Sequence, residues 1–366
     1  MKKAKPSSPL TALSLQGGGA LGAYEYGVLK ALYTVRGENF APRVVAGVSI
    51  GAINAALLVG ARTDALAALD RLWREKLCAD AAFPPESVPA PAAGENAFGV
   101  WGTRPGQYLS FFGNPGMYRL KPEYCFMPFC APFFTSSVYD TSLLKETLAE
   151  LVDPEKLNRP DKTRLIVTAV DVETGRQAKF DNAETTLTLD HIVASGSFPV
   201  SFPPTLIDGR YYWDGGIFMN MPVGVAANAL EQIEADNPSA VREIILVSLH
   251  RTRGALPETL PAATERFYTL LFSGKFALDR KLYGKYSAFV DVMQKIDAAL
   301  PAASPIRKHE GYRDLIRHRK MDRVIVIGEE GTGAVGSGSD FTRRTLERRI
   351  ADGFSDAMAF FRPNPD

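Results

Sequence analysis

Apolar residues in the first 61 positions alternate between short continuous runs and helical spacing. The run Leu10–Leu15 lies between a proline and three glycines, and residues 43–49 contain several β-branched residues, so both are predicted to be buried strands. Apolar residues recur at helical spacing after each run, which predicts helices over residues 20–35 and 50–61. This order of strand and helix favours a parallel sheet with right-handed crossovers, and therefore an α/β fold.

Further elements are predicted after residue 138. The predicted helices cover residues 139–152, with Asp140 or Thr141 as N-cap, then 189–199, ended by a proline, and 222–236. The predicted strands are a pair over 163–180 that turns near Thr174–Gly175, a hairpin over 205–216 that turns at Asp208–Gly209, and runs at 241–249 and 323–328. The region after His250 is otherwise mainly helical. Its last helix, from about residue 340, carries an apolar stripe of Phe341, Leu346, Ile350, Phe354, Met358 and Phe361.

The segment over residues 83–135 differs from the rest of the chain. It contains nine of the 25 prolines, which makes regular helix or strand improbable across it. Between Phe98 and Phe134, 11 of 37 residues are aromatic, a composition that argues against disorder. Two interpretations stay open: a wall, lid or outward-facing surface that includes Phe111 and Phe112, or aromatic side chains that fill a core beneath a long loop.

Charge and cysteine content exclude several classes of protein. The formal net charge of the 366-residue chain is +1, so nothing predicts a nucleic-acid partner. The three cysteines, Cys78, Cys125 and Cys130, form no C-x-x-C pair, and no metal or cofactor site is predicted. The basic start lacks the apolar core of a signal peptide, and no stretch approaches the length of a membrane span. We therefore expect the whole chain to be the mature protein, in the cytoplasm.

Two functions compete for the loop after the first strand. Gly17, Gly19 and Gly22 match G-x-G-x-x-G between a strand and a helix, the context of a dinucleotide-binding loop. That fold also needs an acidic residue at the end of the second strand, whereas Glu38 precedes that strand. A second match at Gly331, Gly333 and Gly336 runs into more glycine and serine, which favours a flexible loop.

The second strand ends in the pattern G-x-S-x-G at Gly47, Ser49 and Gly51, the arrangement of a nucleophile elbow. A small-residue turn for close packing is the structural alternative. Both loops follow parallel strands, so the N–H groups of Gly17, Gly18 and Gly19 can face Ser49 and bind an oxyanion. The loop is therefore predicted to stabilise a tetrahedral intermediate formed by Ser49.

A serine nucleophile needs a proton acceptor, and two candidates stay open. His250 ends an apolar strand and fits the order of an α/β-hydrolase triad. Asp214 ends an aromatic strand and precedes Gly215 and Gly216, where an aspartate either forms the turn or serves as a positioned carboxylate. The remaining histidines are predicted to be structural or at the surface: His191, His309 and His318.

At these residues the sequence resembles the patatin-like phospholipases. "GGGALG" is similar to that family's oxyanion loop, "GVSIG" to its nucleophile elbow and "DGG" to its catalytic aspartate motif, with "ASGSFPVSFPP" preceding the last. The resemblance implies a Ser–Asp dyad, with Ser49 as nucleophile and Asp214 as base. Leu21 departs from the pattern, because many members carry a basic residue there.

The resemblance also implies a three-layer α/β/α fold with a mainly parallel central sheet. We expect a catalytic domain over residues 10–249, with the irregular insertion at 83–135, and a mostly helical C-terminal extension over 250–366 packed on it. The extension resembles that of some bacterial members.

The implied activity is hydrolysis of lipid or other hydrophobic esters, with peripheral membrane contact as a further hypothesis. The alternatives are a Ser–Asp–His esterase that uses His250 and a non-catalytic protein that binds a lipid or nucleotide.

Overall fold

A mixed, mainly parallel β-sheet forms the centre of the protein. The computed structural model describes residues 9–37, 40–78, 113–233, 240–328 and 338–361. Its strands are β1 (Leu10–Leu15), β2 (Val44–Gly47), β3 (Gly113–Asn114), β4 (Tyr118–Leu120), β5 (Tyr139–Asp140), β6 (Arg164–Asp171), β7 (Gln177–Asp181), β8 (Thr205–Ile207), β9 (Arg210–Asp214), β10 (Arg242–Val247) and β11 (Arg323–Ile327).

The helices are α1 (Gly22–Arg36), α2 (Ile50–Gly60), α3 (Ala65–Arg71), α4 (Pro122–Phe126), α5 (Ser142–Leu151), α6 (Pro154–Leu157), α7 (Leu189–Ser195), α8 (Val223–Ile233), α9 (Leu260–Ala299), α10 (Glu310–Ile316) and α11 (Arg343–Phe361). Helices occur at each predicted position, and the short helices α3, α4 and α6 were not predicted. Short 3-10 turns at Gly19–Leu21 and Gly215–Ile217 lie at the two loops that the sequence singles out.

The central sheet has the order β11-β10-β1-β2-β6-β9-β8, with β7 also paired to β6. The pairs from β11 to β6 are parallel, and the pairs that involve β7, β8 or β9 are antiparallel. Every residue of β2, β6 and β10 is buried, as expected where helices cover both faces of a parallel sheet.

The pairing of β6 brings the end of β9 beside the end of β2. Strand β7 pairs with residues 166–170 of β6, a stretch that overlaps the partners of both β2 and β9. A strand has only two edges, so β2 and β9 must share the edge opposite β7. Gly47 of β2 lies opposite Val167, and Asp214 of β9 lies opposite Ala169. The antiparallel hairpin therefore delivers Asp214 to the carboxyl end of β2, where Ser49 follows.

Two hydrophobic clusters cover the two faces of the sheet, which confirms the three-layer α/β/α arrangement. In β1, Leu13 belongs to the cluster formed with α1, α2 and α11, whereas Ala12 belongs to the cluster formed with α8. Phe276 of α9 completes the second cluster. Successive strand residues point to opposite faces, so the continuous apolar runs supply both layers at once.

The C-terminal region adds both sheet and helix to this core. Strand β11 pairs in parallel with β10, and helix α11 packs on α1 with its predicted apolar stripe turned to the core. The two helices approach so closely that Gly27 and Gly353 have backbone atoms where a Cβ would lie. The domain boundary near residue 250 stays a prediction.

The expectation of no regular structure across residues 83–135 is wrong for residues 113–135. Strands β3 and β4 form a small antiparallel sheet with β5, and Pro122 begins α4 at a position where its missing N–H is tolerated. The central strand of the three, β4, pairs with Tyr139–Asp140, a contact that local composition does not reveal. Residues 83–112, with Phe111 and Phe112, lie outside the described residues, as do Gly331, Gly333 and Gly336.

No helix within the described ranges is both long enough and apolar enough to cross a membrane.

Candidate active site

Ser49 lies at a sharp turn between β2 and α2. Its φ of 57° and ψ of −126° put a non-glycine residue in a strained region of conformational space. Gly47 and Gly51 have no room for a side chain, because their Cα atoms face the backbone of Gly51 and of Leu15 respectively. The flanking glycines of the motif thus allow the turn that exposes the serine side chain, as a nucleophile elbow requires.

Ser195, which no sequence pattern singled out, stabilises the strained turn by a hydrogen bond. The N–H of Ser49 donates to Ser195 Oγ at 3.0 Å, and that hydroxyl donates to the carbonyl oxygen of Thr168 at 2.7 Å. Ser195 is fully buried at the end of α7. Its position within "ASGSFPVSFPP" was the available signal, but the motif alone does not show which serine faces the elbow.

The polar groups of Gly17 are already occupied within the protein. Its N–H donates to the carbonyl oxygen of Asn220 at 3.3 Å. Its carbonyl oxygen accepts from Asn220 Nδ2 at 3.0 Å and from His250 Nε2 at 2.8 Å. Gly17 therefore departs from the expectation that three consecutive amides serve as oxyanion donors.

Gly18 and Gly19 keep their N–H groups unpaired within the described ranges. The peptide between Gly17 and Gly18 is planar, so its N–H points away from the carbonyl that Asn220 and His250 hold. Gly19 has a φ of +57° and opens the helical turn that leads into α1. The glycine loop therefore presents two amides at the positive end of a helix.

The glycine loop lies against the elbow and against the C-terminal region. A Cβ on Gly17 would lie 3.0 Å from Ser49 Cβ, and one on Gly22 would lie 2.6 Å from a side-chain carbon of Ile50. The N–H of Ala20 donates to the carbonyl oxygen of Gly338 at 2.6 Å. Leu21 is buried at 4% exposure.

A buried carboxylate ties the loop to the helix of the nucleophile. Glu25 in α1 accepts from the N–H of Gln16 at 2.7 Å and from Asn54 Nδ2 at 2.8 Å. Asn54 lies in α2, and its Oδ1 accepts from the indole N–H of Trp73 at 3.0 Å. Burial raises the pKa of Glu25 to about 8, although both hydrogen bonds lower it.

Asp214 ends β9 and forms the turn that follows. Its Oδ1 accepts from the N–H of Gly216 at 2.7 Å, and its N–H donates to the carbonyl oxygen of Ser197 at 2.9 Å. Gly215 has no room for a side chain beside Thr168, and a Cβ on Gly216 would lie 3.0 Å from Asp214 Oδ1. The two interpretations of this aspartate are therefore compatible, because one oxygen caps the turn while the other, Oδ2, does not.

The Asp214 carboxylate is almost fully buried, at 1% exposure. Burial raises its pKa to about 7, whereas the Ser49 hydroxyl, the Gly216 N–H and the Lys275 ammonium lower it. Ser49 is thus near enough to influence this pKa, although Oδ2 has no partner with full hydrogen-bond geometry among the described residues. Such contacts are often long in substrate-free sites.

The histidines have other partners. His250 must donate to the Gly17 carbonyl through Nε2, because a carbonyl oxygen only accepts, and burial lowers the pKa of His250 to about 4. His191 is buried and caps α7 through Thr188, as predicted. His309 is exposed, whereas His318 is half-buried against Glu231 and is not simply a surface residue.

Asn220 is the second functional candidate that the sequence analysis missed. It is buried at 1% exposure, and its Oδ1 lies where a Cβ of Gly17 or of Gly216 would fall. One side chain therefore bridges the glycine loop and the turn after Asp214. The signal available in the sequence was an asparagine six residues after the aspartate and two before Pro222.

The family model "Patatin-like phospholipase" matches residues 13–227, more than half of the chain. The chain belongs to the patatin-like phospholipase family. This family membership supports lipid acyl hydrolysis as the class of activity. A search of curated proteins found no match.

Two solved structures resemble this patatin-like chain. VipD from Legionella pneumophila is 16% identical, with a TM-score of 0.40 over 96% of this chain. The type III effector protein ExoU is 15% identical, with a TM-score of 0.30 over 97% of this chain. The matches span 66% and 53% of those two proteins.

Among the described residues, no group of three or more histidine, cysteine, aspartate or glutamate side chains could hold a metal ion.

Proposed function

We propose that this patatin-like protein is a serine acyl-ester hydrolase of lipid substrates, with Ser49 as nucleophile and Asp214 as general base. The observation that supports this best is the buried Asp214 carboxylate beside the serine elbow, with a pKa raised to about 7. An unperturbed aspartate is a weak base at neutral pH, whereas a base with a pKa near the working pH transfers protons efficiently.

In the first half-reaction, Asp214 Oδ2 takes the hydroxyl proton as Ser49 Oγ attacks the ester carbonyl carbon. The carbonyl oxygen becomes an oxyanion, and the N–H groups of Gly18 and Gly19 donate to it. The tetrahedral intermediate then collapses: the bond to the leaving alcohol breaks, and protonated Asp214 gives the alcohol its proton. The products of this half are the free alcohol and an acyl-enzyme on Ser49.

In the second half-reaction, water replaces the alcohol. Asp214 takes a proton from the water as its oxygen attacks the acyl carbon, and the same two amides stabilise the second oxyanion. When this intermediate collapses, the bond to Ser49 Oγ breaks and Asp214 returns the proton to the serine. The fatty acid leaves, and both side chains regain their starting state.

A histidine triad is less well supported than the dyad. The Nε2 atom of His250 is engaged with the Gly17 carbonyl, and the lowered pKa makes the imidazole a poor proton acceptor at neutral pH. His250 and Asn220 instead support the dyad, because together they fix the Gly17 carbonyl and so orient the Gly18 amide.

We propose further that the protein binds lipid surfaces through an exposed aromatic surface of its own. This surface consists of five large apolar side chains, all exposed: Phe126, Met127, Phe129, Phe133 and Phe134. The segment that carries them pairs with the loop after α7, since the N–H of Val138 donates to the carbonyl oxygen of Val200 at 3.0 Å. Large exposed apolar patches mark contact sites for membranes or partners.

The loop after α7 connects the aromatic surface to the active site. Phe198 contacts Tyr268 of α9, with ring centroids 5.5 Å apart, and Phe272 of the same helix lies 5.1 Å from the imidazole of His250. Aromatic rings thus continue from the loop after α7 to the histidine that holds the glycine loop.

The test of the dyad is hydrolysis of a panel of phospholipids, lysophospholipids and acylglycerols that varies headgroup and chain length. We expect the intact protein to hydrolyse at least one class, and Ser49→Ala and Asp214→Asn to lose that activity. A folded Ser49→Ala variant that keeps full activity on the preferred substrate would refute the proposal.

The aromatic surface is tested separately with the double variant Phe129→Ser, Phe133→Ser. We expect weaker binding to phosphatidylcholine vesicles and slower hydrolysis of vesicle substrates, but unchanged hydrolysis of a soluble short-chain ester. Phe360→Ser, which changes another exposed phenylalanine in α11, is the matched control. Vesicle binding equal to that of the control would contradict a membrane role.

A further inference from the structure

A lysine from the C-terminal helix α9 reaches the turn that orients Asp214. Lys275 Nζ donates to the carbonyl oxygen of Gly216 at 3.0 Å and also contacts that of Ile217. The N–H of the same Gly216 donates to Asp214 Oδ1 at 2.7 Å. The ammonium, the turn and the carboxylate thus form one chain of hydrogen bonds, although Lys275 lies 61 residues after Asp214.

The position of Lys275 on α9 is fixed by packing on either side. Phe272, one turn before it, is buried between His250 and Phe198, and Phe276 belongs to the core cluster beneath the sheet. Lys275 itself is half-buried, and burial lowers its pKa. A lysine side chain loses conformational entropy when it is held in this way, so its contacts must compensate for that cost.

We propose that Lys275 is a positioning residue of the active site: it holds the Gly215–Ile217 turn and thereby fixes the Asp214 carboxylate toward Ser49. This inference rests on the proposed role of Asp214 as base. Under this proposal, the region after residue 250 contributes a side chain that positions the active site, in addition to packing against the rest of the protein. Neither the glycine loop at residues 17–22 nor the elbow at residues 47–51 supplies a positive side chain here.

The charge of Lys275 also lowers the pKa of Asp214. The groups that face Asp214 are the Ser49 hydroxyl, the Gly216 N–H and the Lys275 ammonium, and all three lower its pKa against the effect of burial. Lys275 in turn faces two carboxyl groups, Asp214 and Asp279, which both raise the pKa of the lysine. Loss of Lys275 should therefore raise the pKa of Asp214 and leave less of the base ionised at neutral pH.

The test compares Lys275→Met, which keeps the stem but removes charge and donors, with Lys275→Arg, which keeps both. Turnover of a soluble short-chain nitrophenyl ester is measured from about pH 5 to about pH 9. For Lys275→Met we expect the acid limb of kcat/KM to move upward by about half a unit to one unit, the lower end of the effect of a neighbouring charge. We also expect kcat to fall by roughly tenfold with little change in KM, because a catalytic group is displaced without loss of substrate contacts.

Lys275→Arg should restore most of kcat and the original pH profile. Lys285→Met, a change at an exposed lysine of the same helix, is the matched control and should behave as the parent. If Lys275→Met fails to fold by circular dichroism, Lys275→Gln replaces it, because the amide can donate to the carbonyls but carries no charge. We expect Lys275→Gln to show the upward shift with a smaller loss of kcat.

The inference is overturned if the folded Met or Gln variant keeps the parent's pH profile and kcat. The outcome for Asp214→Asn separates the two proposals. An inactive Asp214→Asn together with an unaffected Lys275 variant removes the role of Lys275 and leaves the proposed function standing. A fully active Asp214→Asn removes the proposed function itself.

Discussion

His250 donates through Nε2 to the carbonyl oxygen of Gly17, at a distance of 2.8 Å. The bond connects the end of β10 to the glycine loop after β1, two parallel strands that lie side by side in the sheet. Asn220 Nδ2 donates to the same oxygen at 3.0 Å, so two donors hold one peptide in place. This pair of bonds holds the peptide after Gly17 beside Ser49, and it engages the Nε2 atom of His250.

Replacement of His250 by alanine should therefore reduce activity without abolishing it. Asn220 still holds the Gly17 carbonyl. We therefore expect kcat to fall by about 10- to 100-fold, which is the loss of rate that misorientation of a catalytic group causes. A triad histidine would cost about 10⁴-fold or more. The measurement is kcat on a soluble ester, with a thermal melt to show that the variant folds. A loss as large as that of Ser49→Ala would favour the triad.

The pH dependence of activity follows from the pKa of Asp214. The base must be ionised to accept the serine proton, and its pKa is about 7. We expect kcat/KM to rise by about tenfold per pH unit below that pKa and to level off above it. The same limb should persist in His250→Ala, because burial lowers the pKa of His250 to about 4, outside this range. If the rise of kcat/KM with pH disappeared in His250→Ala, the titrating group would be the histidine.

Because burial disfavours the ionised form of Asp214, this residue should destabilise the folded protein at alkaline pH. Its pKa is about 7 in the folded protein and about 3.9 in an unfolded chain, so the folded state binds more protons between these values. The free energy of unfolding therefore falls as pH rises through this window. Asp214→Asn should raise stability above pH 7, by up to about 4 kcal/mol from a shift of roughly three units.

Below the unfolded-state pKa the advantage of Asp214→Asn should vanish, because both states then carry the neutral acid. Urea unfolding of parent and variant at about pH 3 and about pH 8 checks the difference. Equal effects of the substitution at both pH values would mean that the folded-state pKa of Asp214 is not raised.

Glu25 should contribute to stability through the two hydrogen bonds that its carboxyl group accepts. Both oxygens accept hydrogen bonds, from Gln16 N and from Asn54 Nδ2, and Asn54 cannot reverse its amide because Oδ1 accepts from Trp73. In Glu25→Gln the new amide nitrogen would face the nitrogen of Asn54. We expect a loss of about 1–3 kcal/mol in the free energy of unfolding, the cost of an unsatisfied buried donor.

Glu146→Gln, at an exposed position of α5, is the control for Glu25→Gln and should leave the urea midpoint unchanged. A Glu25→Gln protein as stable as this control would show that the buried network tolerates an amide in place of the carboxyl group. The comparison thus measures whether the link between the glycine loop and α2 needs two acceptor oxygens at residue 25.

Local signals predict the elements that local chemistry determines. The hairpin turn at Asp208–Gly209 has positive φ at both positions, 49° and 79°, the backbone that Asp-Gly favours between strands. The apolar stripe of α11 packs on the core as its helical spacing predicts. The strand–turn–helix context likewise places Ser49 at a strained elbow. In each case, a few neighbouring residues carry the whole physical reason.

The contacts that complete the site cannot be predicted this way, because they join distant parts of the chain. Asn220 and Gly17 are 203 residues apart, and Ser195 and Ser49 are 146 apart. Lys275 belongs to a helix whose sequence is indistinguishable from an exposed charged helix until its neighbours are known. Only the fold likewise shows that the carbonyl oxygen of Asn220 accepts from the Gly17 N–H.

The most direct measurement for the central claim is covalent labelling by a fluorophosphonate probe, read out by peptide mass spectrometry. The phosphorus reacts only with an activated serine, so we expect the adduct on Ser49 in the parent, none in Ser49→Ala and strongly slowed labelling in Asp214→Asn. The pH dependence of labelling should follow the ionisation of Asp214. An adduct on another serine, or labelling of Ser49 at the same rate in Asp214→Asn, would contradict the account.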